Sequence, residues 1–182
     1  MGMNLRMVTN GLKVYYSNAS EAEKIIVDCG LLAAGAAAVG GIIPVLELPA
    51  MVVSCVGAVW AMYIQVCKAL GIKIGDNLLK VLASAALSNI ATNLIGVFAL
   101  ELITCFIPGL GMAAGAVTTF ACVYLAGIMF MNMILVFAKK GVGPEDFSSL
   151  SESDLKDTIK SQTPDKEDVK QAKNVFKEKY NK

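Results

Sequence analysis

The sequence predicts an all-α fold: two apolar helical hairpins, four long helices in all, followed by a charged helical tail. Three observations carry that prediction. Four apolar segments of helical length follow one another between residues 24 and 138. Two Ile-Pro breaks divide them into pairs, because Ile43-Pro44-Val45-Leu46 returns 64 positions later as Ile107-Pro108-Gly109-Leu110. Charge is pushed to the ends: residues 24–138 carry eight acidic or basic side chains, and the last 44 residues carry 19. A polar lead (1–23), an apolar helical membrane domain (24–140) and a charged helical tail (141–182) follow from that division.

Taken in order, the lead carries Arg6, Lys13, Glu21 and Glu23. It does not read as a secretory signal, because Ser20-Glu21-Ala22-Glu23 precedes an apolar run that is too long for a signal core. The first apolar segment, about 24–42, is rich in Gly and Ala. The second, about 48–70, and the fourth, about 110–138, reach the roughly 20 apolar residues that a membrane helix needs. The third, about 77–106, is long but carries Lys80, Asn89, Asn93 and Glu101. Pro44 and Pro108 mark the turns, since proline lacks an N–H and drives the preceding residue out of the α region. Between the hairpins, Gly71 reads as a helix C′ residue and Asp76 or Asn77 as an N-cap.

In the tail, Ser151 or Ser153 can cap a short helix holding Leu155 and Ile159. Thr163-Pro164 reads as the start of a second, with Asp165, Glu167 and Asp168 in its first turn. Val169, Ala172, Val175, Phe176 and Tyr180 form its apolar stripe. That stripe suits docking back on the body or presentation to a partner, and a solvated helix is equally compatible with it.

Composition excludes several classes. Zero histidine removes the His-based nucleophile triads, the His-ligated zinc sites and the commonest general base. A net charge of +1 gives no case for nucleic acid. No constellation identifies a reaction, so the expectation is a non-enzymatic protein without a cofactor or metal. The five cysteines, Cys29, Cys55, Cys67, Cys105 and Cys122, form no C-x-x-C and read as small packing hydrophobes.

Helices apolar on every face are buried or in lipid. The expected partner is therefore a lipid bilayer, and a soluble oligomeric bundle is the competing reading. Antiparallel helices would bring the N-terminus, the 71–77 link and the tail to one side. That side holds Lys13, Lys24, Lys68, Lys73, Lys80, Lys139 and Lys140, so the positive-inside rule places the termini in the cytoplasm. Short uncharged turns also suit wedge-like hairpins that stop within the bilayer.

Two sets of residues stand out. Gly111 and Gly115 make a G-x-x-x-G, continued by Thr119, Cys122 and Ala126, a small-residue face for close packing within the chain or between copies. Asp28, Asn89, Asn93 and Glu101 are the polar groups of the apolar body, with Ser84, Ser88 and Thr92 beside them on the third segment. Ionisable groups inside a membrane are costly and point to function. Interhelical or backbone hydrogen bonding is the plainer role for the Asn, Ser and Thr of this stripe. Trp60, Tyr63 and Tyr124 are candidate interfacial aromatics, Trp60 being the best placed of them for the core.

Ile43-Pro44, Ala69-Leu70-Gly71-Ile72-Lys73-Ile74, Phe106-Ile107-Pro108-Gly109-Leu110-Gly111 and Tyr124-Leu125-Ala126-Gly127 together resemble the bacterial domain-of-unknown-function 697 family, over roughly residues 20–140. The resemblance implies a helical, membrane-associated domain, in the inner membrane of a bacterium, often beside or fused to small GTPase domains. This chain has no G-x-x-x-x-G-K-[ST] loop, so the implied GTPase partner acts in trans. The functional expectation is a membrane protein that self-associates as a homo-oligomer or scaffolds. A small pore or transporter built around the third segment is the alternative.

Overall fold

A computed structural model describes the backbone of residues 4–40, 47–105 and 111–180, and the side chains of 4–38, 55–94 and 115–180. The helices are α1 (Leu5–Leu12), α2 (Ala19–Gly40), α3 (Glu47–Leu70), α4 (Asp76–Cys105), α5 (Gly111–Lys139), α6 (Glu152–Lys160) and α7 (Lys166–Tyr180), with a 3-10 turn at Asp146–Ser149. The chain is all-α, as the sequence predicts. The four long helices, α2 to α5, fall on the four apolar segments. The turns at Pro44 and Pro108 lie outside the described residues, as do the side chains of Glu101 and Cys105 and the surroundings of Gly111.

Helix α5 is the axis, and it packs against every other α-helix. From Gly115 to Ala138 only Val117, Cys122, Asn132 and Val136 are even half-buried, and the rest are buried. Among the described residues α5 is the one helix long and apolar enough to cross a membrane, over Gly115–Lys139, yet 83% of its most apolar window is buried in the protein. A helix enclosed by protein on all sides has the same composition as one enclosed by lipid. In α3, a helix of 24 residues, the side chains are described only over the apolar stretch Cys55–Leu70, so the expected span over 48–70 lies partly outside the described residues.

Close approach of α2 and α5 depends on glycine in both helices. A Cβ at Gly127 would lie 2.6 Å from Ile26 Cγ2, and one at Gly30 would lie 3.0 Å from the Phe120 ring. Each helix thus seats a bulky side chain where the other has none. Tyr63 adds a polar lock between α3 and α5: it is fully buried, stacks on Phe130 at 3.9 Å and donates to the Ala126 carbonyl at 3.0 Å. It is a core residue rather than an interfacial aromatic.

The ends of α3 and α5 are built alike. Gly71 has φ +69° and Gly141 φ +85°, left-handed values that favour glycine. Ile72 N–H reaches the Cys67 carbonyl at 2.9 Å and Gly71 N–H that of Lys68 at 3.3 Å; Val142 and Gly141 repeat both bonds to Phe137 and Ala138 at 3.1 and 3.0 Å. These are two Schellman caps. Lys73 N–H then donates to the Pro144 carbonyl at 3.1 Å, and Asn18 Nδ2 to the Ala69 carbonyl at 3.1 Å. The α1–α2 junction, the interhairpin link and the start of the tail therefore meet at one end. At α4 the first carbonyl to accept is that of Gly75, from Leu79 N–H at 3.1 Å. Gly75 is thus the cap, and Asp76 lies in the first turn, where its carboxylate suits the helix dipole.

The lead and the tail both pack onto the body. Helix α1 buries Leu5, Val8, Thr9 and Leu12, and Asn4 caps it. Ser151 caps α6, which buries Leu155 and Ile159. The α7 cap is Asp165 rather than Thr163: its Oδ1 accepts from Glu167 and Asp168 N–H at 2.9 and 3.0 Å, while Asp168 Oδ2 accepts from Asp165 N–H at 2.8 Å. That reciprocal pair satisfies three amide groups and sets the helix start beyond Pro164. Val169, Ala172 and Phe176 are buried on the body, Phe176 lying 5.3 Å from Phe120.

Gly127→Ala should lower stability by about 1–3 kcal/mol through overpacking against Ile26, and Ile26→Ala should relieve part of that loss in the double variant. Gly35→Ala, where a Cβ meets nothing within 4 Å, should be neutral or stabilising. Chemical denaturation of the four proteins checks this; equal loss at Gly127 and Gly35 would contradict the packing account.

Candidate functional site

The small-residue face of α5 looks inward. Gly115, Thr119 and Ala126 are buried and Cys122 is half-buried. Cys122 is within hydrogen-bonding reach of Cys55 on α3, and the Ala126 carbonyl takes the Tyr63 hydroxyl. Cys29, Cys55, Cys67 and Cys122 are free thiols. Cys29 Sγ accepts from Gln65 Nε2 at 3.7 Å, another link between α2 and α3.

The polar groups of α4 serve the tail. Asn89 is buried, and its Nδ2 reaches the carbonyls of Ile159, Lys160 and Gln162 at 3.1, 3.1 and 2.6 Å. These carbonyls end α6, where helical partners run out. Asn93 Nδ2 donates to the Asn89 carbonyl at 2.9 Å and to Asn89 Oδ1. Gln162 completes the junction: its Nε2 donates to the Met129 carbonyl at 2.8 Å, and its Oε1 accepts from Asn132 Nδ2 at 3.2 Å. Asn89 and Asn93 thus fasten the α6–α7 turn to α4 and α5. Ser84, Ser88 and Thr92 are exposed on the outer side of α4, with Thr92 Oγ1 bonded back to the Ser88 carbonyl at 2.8 Å. Asn132 and Gln162 were not among the sequence candidates, although an amide inside the otherwise apolar α5 is a visible signal.

Asp28, exposed on α2, belongs to a different place. It lines a cavity of about 710 Å³ between α1, α2, α5 and α7. Arg6, Glu23, Lys24, Glu178 and Lys179 also line it, and Tyr124 forms its inner wall. Residues 20, 23, 24, 27, 28 and 31 lie on one face of α2, which helical periodicity turns toward α7. Asn4, Leu5 and Arg6 bring the N-terminus of α1 to the rim. Tyr124, a candidate interfacial aromatic in the sequence, is only 3% exposed. Glu23 and Arg6 lie close enough to act electrostatically on its hydroxyl. Near the α1–α2 junction, burial pushes the Tyr16 phenol up, with Cys67 adding to the shift.

Two aromatic–cation contacts mark the rim of the polar half. Lys80 Nζ sits 4.5 Å from the Trp60 ring centroid and Lys140 Nζ 5.1 Å from that of Phe137. Among the described residues no three His, Cys, Asp or Glu side chains gather where they could hold a metal ion.

Asn89→Ala should cost about 1–3 kcal/mol, because three carbonyls at the α6 terminus lose a donor. Hydrogen exchange should show lost protection in α6 and the start of α7 while α2 and α5 keep theirs; uniform loss or no change would contradict the fastening role. Compared with protein-family models, curated proteins and solved structures, the chain finds no match.

Proposed function

We propose that this is a non-enzymatic, membrane-associated helical scaffold whose apolar end enters the bilayer and whose polar head rests at the cytoplasmic surface. The observation that carries the reading is the axial segregation of charge. In the four long helices, the ends that lead to the Pro44 and Pro108 turns hold only Glu47 and Glu101. Every other acidic or basic residue of those helices lies toward the opposite end, where α1, α6 and α7 gather. The exposed residues next to the apolar end are likewise uncharged: Leu32 is 75% and Val56 46% exposed.

Depth supports a limited insertion. Beyond Asn93, where the tail is fastened, α4 has 12 residues to its end at Cys105, about 18 Å of helix. A hydrocarbon core is about 30 Å thick. With the charged α6 docked on α4, the apolar end has the reach of one leaflet. The termini stay on the side of Lys73, Lys139 and Lys140, consistent with the positive-inside rule.

Self-association would use the exposed apolar surface of α2 and α3 near Leu32 and Val56, since Cys122 and Ala126 of the small-residue face are engaged with α3. The link to a GTPase acting in trans rests on the family resemblance alone. The described polar groups of α4 face the tail or the outside, which gives a pore no lining within one copy.

Flotation with phosphatidylcholine vesicles tests the reading. The protein should float and should resist alkaline carbonate, and Leu32→Glu with Val56→Glu should abolish flotation while the helix content is retained. A monodisperse protein that stays in solution without detergent or bound lipid would overturn it.

A further inference from the structure

We propose that the cavity between α1, α2, α5 and α7 is a headgroup site for a zwitterionic phospholipid bearing a primary ammonium, of the phosphatidylethanolamine type; the lipid assignment rests on the membrane reading above.

The cavity has the volume of a small-ligand site, about 710 Å³. Three cationic side chains, Arg6, Lys24 and Lys179, and three anionic ones, Glu23, Asp28 and Glu178, converge on it. None of the six forms an ion pair among the described residues. A simple anion would be repelled by half of this lining and a simple cation by the other half. A ligand carrying both charges a few ångströms apart engages both halves.

Tyr124 supplies the second, independent observation. It is 3% exposed, lines the cavity, and its hydroxyl makes no hydrogen bond among the described residues. The ring is enclosed while the hydroxyl opens onto the cavity, where a ligand can reach it. Glu23 and Arg6, which line the same cavity, both act electrostatically on this hydroxyl. It is placed to donate to a phosphate held by Arg6. The first-turn amides of α1 reinforce that end, because Leu5 and Arg6 lie at the rim and the side chain of Asn4 caps only Met7 N–H. Helix N-termini favour phosphate.

The carboxylates specify the other end. A primary ammonium offers three donors to Glu23, Asp28 and Glu178. A quaternary ammonium offers none and is usually held by several aromatic faces, whereas Tyr124 is the one aromatic ring in the described lining. The apolar part of the lining fixes the source as a lipid. Val27 and Leu31 on α2, with Val175 of α7 beside them in the lining, lead from the charged groups toward exposed Leu32, a path for an acyl chain toward the apolar end.

Calorimetric titration of the full chain in a mild detergent tests this, with monomeric dihexanoyl phosphatidylethanolamine as the probe. Dihexanoyl phosphatidylcholine, dihexanoyl phosphatidylglycerol, phosphoethanolamine and inorganic phosphate are the comparison ligands. The ethanolamine lipid should bind at least about tenfold more tightly than each of the others, the loss expected when one charge-assisted hydrogen-bond set is missing. Tyr124→Phe should keep the melting temperature, since the hydroxyl bonds nothing in the protein, and should weaken the ethanolamine lipid about tenfold. Glu23→Gln should erase the preference over the choline lipid. Equal affinity for the two zwitterionic lipids, or an unaltered Tyr124→Phe, overturns the headgroup site. Phosphoethanolamine binding as tightly as the lipid overturns the lipid source. Flotation with phosphatidylcholine vesicles keeps the two readings apart: a protein that floats yet ignores the ethanolamine lipid retains the membrane reading and loses the site. One that binds it through Tyr124 yet does not float retains the site and loses the membrane reading.

Discussion

The structure depends on the enclosure of α5. A helix apolar on every face has no side that water can wet, and here six neighbouring helices supply its surroundings. That requirement explains features which look separate in the sequence. It calls for glycine at positions 30 and 127, because α2 must approach closely enough for Phe120 and Ile26 to seat in the opposing helix. It places Tyr63 in the core, where its hydroxyl needs the Ala126 carbonyl. It also recruits α1 and α7, without which Tyr124, Phe120 and Leu135 would face solvent.

The same enclosure divides the molecule along its length. From Phe120 to Lys139, α5 is wrapped by helices whose outer faces are charged, and this half is a water-compatible head. Toward the two Ile-Pro turns, the sequence of the long helices is almost without charge. Polar bonds fasten the tail to the head. Asn89, Asn93, Asn132 and Gln162 hold the α6–α7 turn against α4 and α5, and the mixed-charge cavity beside Tyr124 opens between α1, α2, α5 and α7. On the proposed reading, the charged head stays in water and the apolar end enters hydrocarbon.

Much of the fold was legible. Apolar runs located all four long helices, and Gly71 announced the left-handed cap that ends α3. Of the two serines offered as the start of α6, Ser151 is the cap. Helix α1 was overlooked although Leu5, Val8 and Leu12 recur at helical spacing, because two turns in a stretch with Arg6 and Lys13 were read as part of a polar lead. The cap of α7 was misplaced because Thr163-Pro164 offers one capping oxygen, whereas Asp165 and Asp168 satisfy each other's amides. The candidate site was less legible still. Asn89 was visible as a polar residue in an apolar segment, but its partner Gln162 lies 73 positions away. The cavity gathers side chains from Arg6 to Lys179, and nothing local in the sequence ties those positions together. The apolarity of α5 reads the same whether protein or lipid surrounds it, so only the packing distinguishes the two.

The central claim is that protein encloses α5 over its charged half while lipid meets only the apolar end. Photolabelling with a carbene precursor carried on a phospholipid acyl chain, followed by peptide mapping, tests it most directly. In vesicles the label should fall on residues 32–40, 47–58 and 94–105 and should spare residues 120–138. Labelling of 120–138 as dense as that of 94–105 would show α5 facing lipid along its length, and would contradict the account.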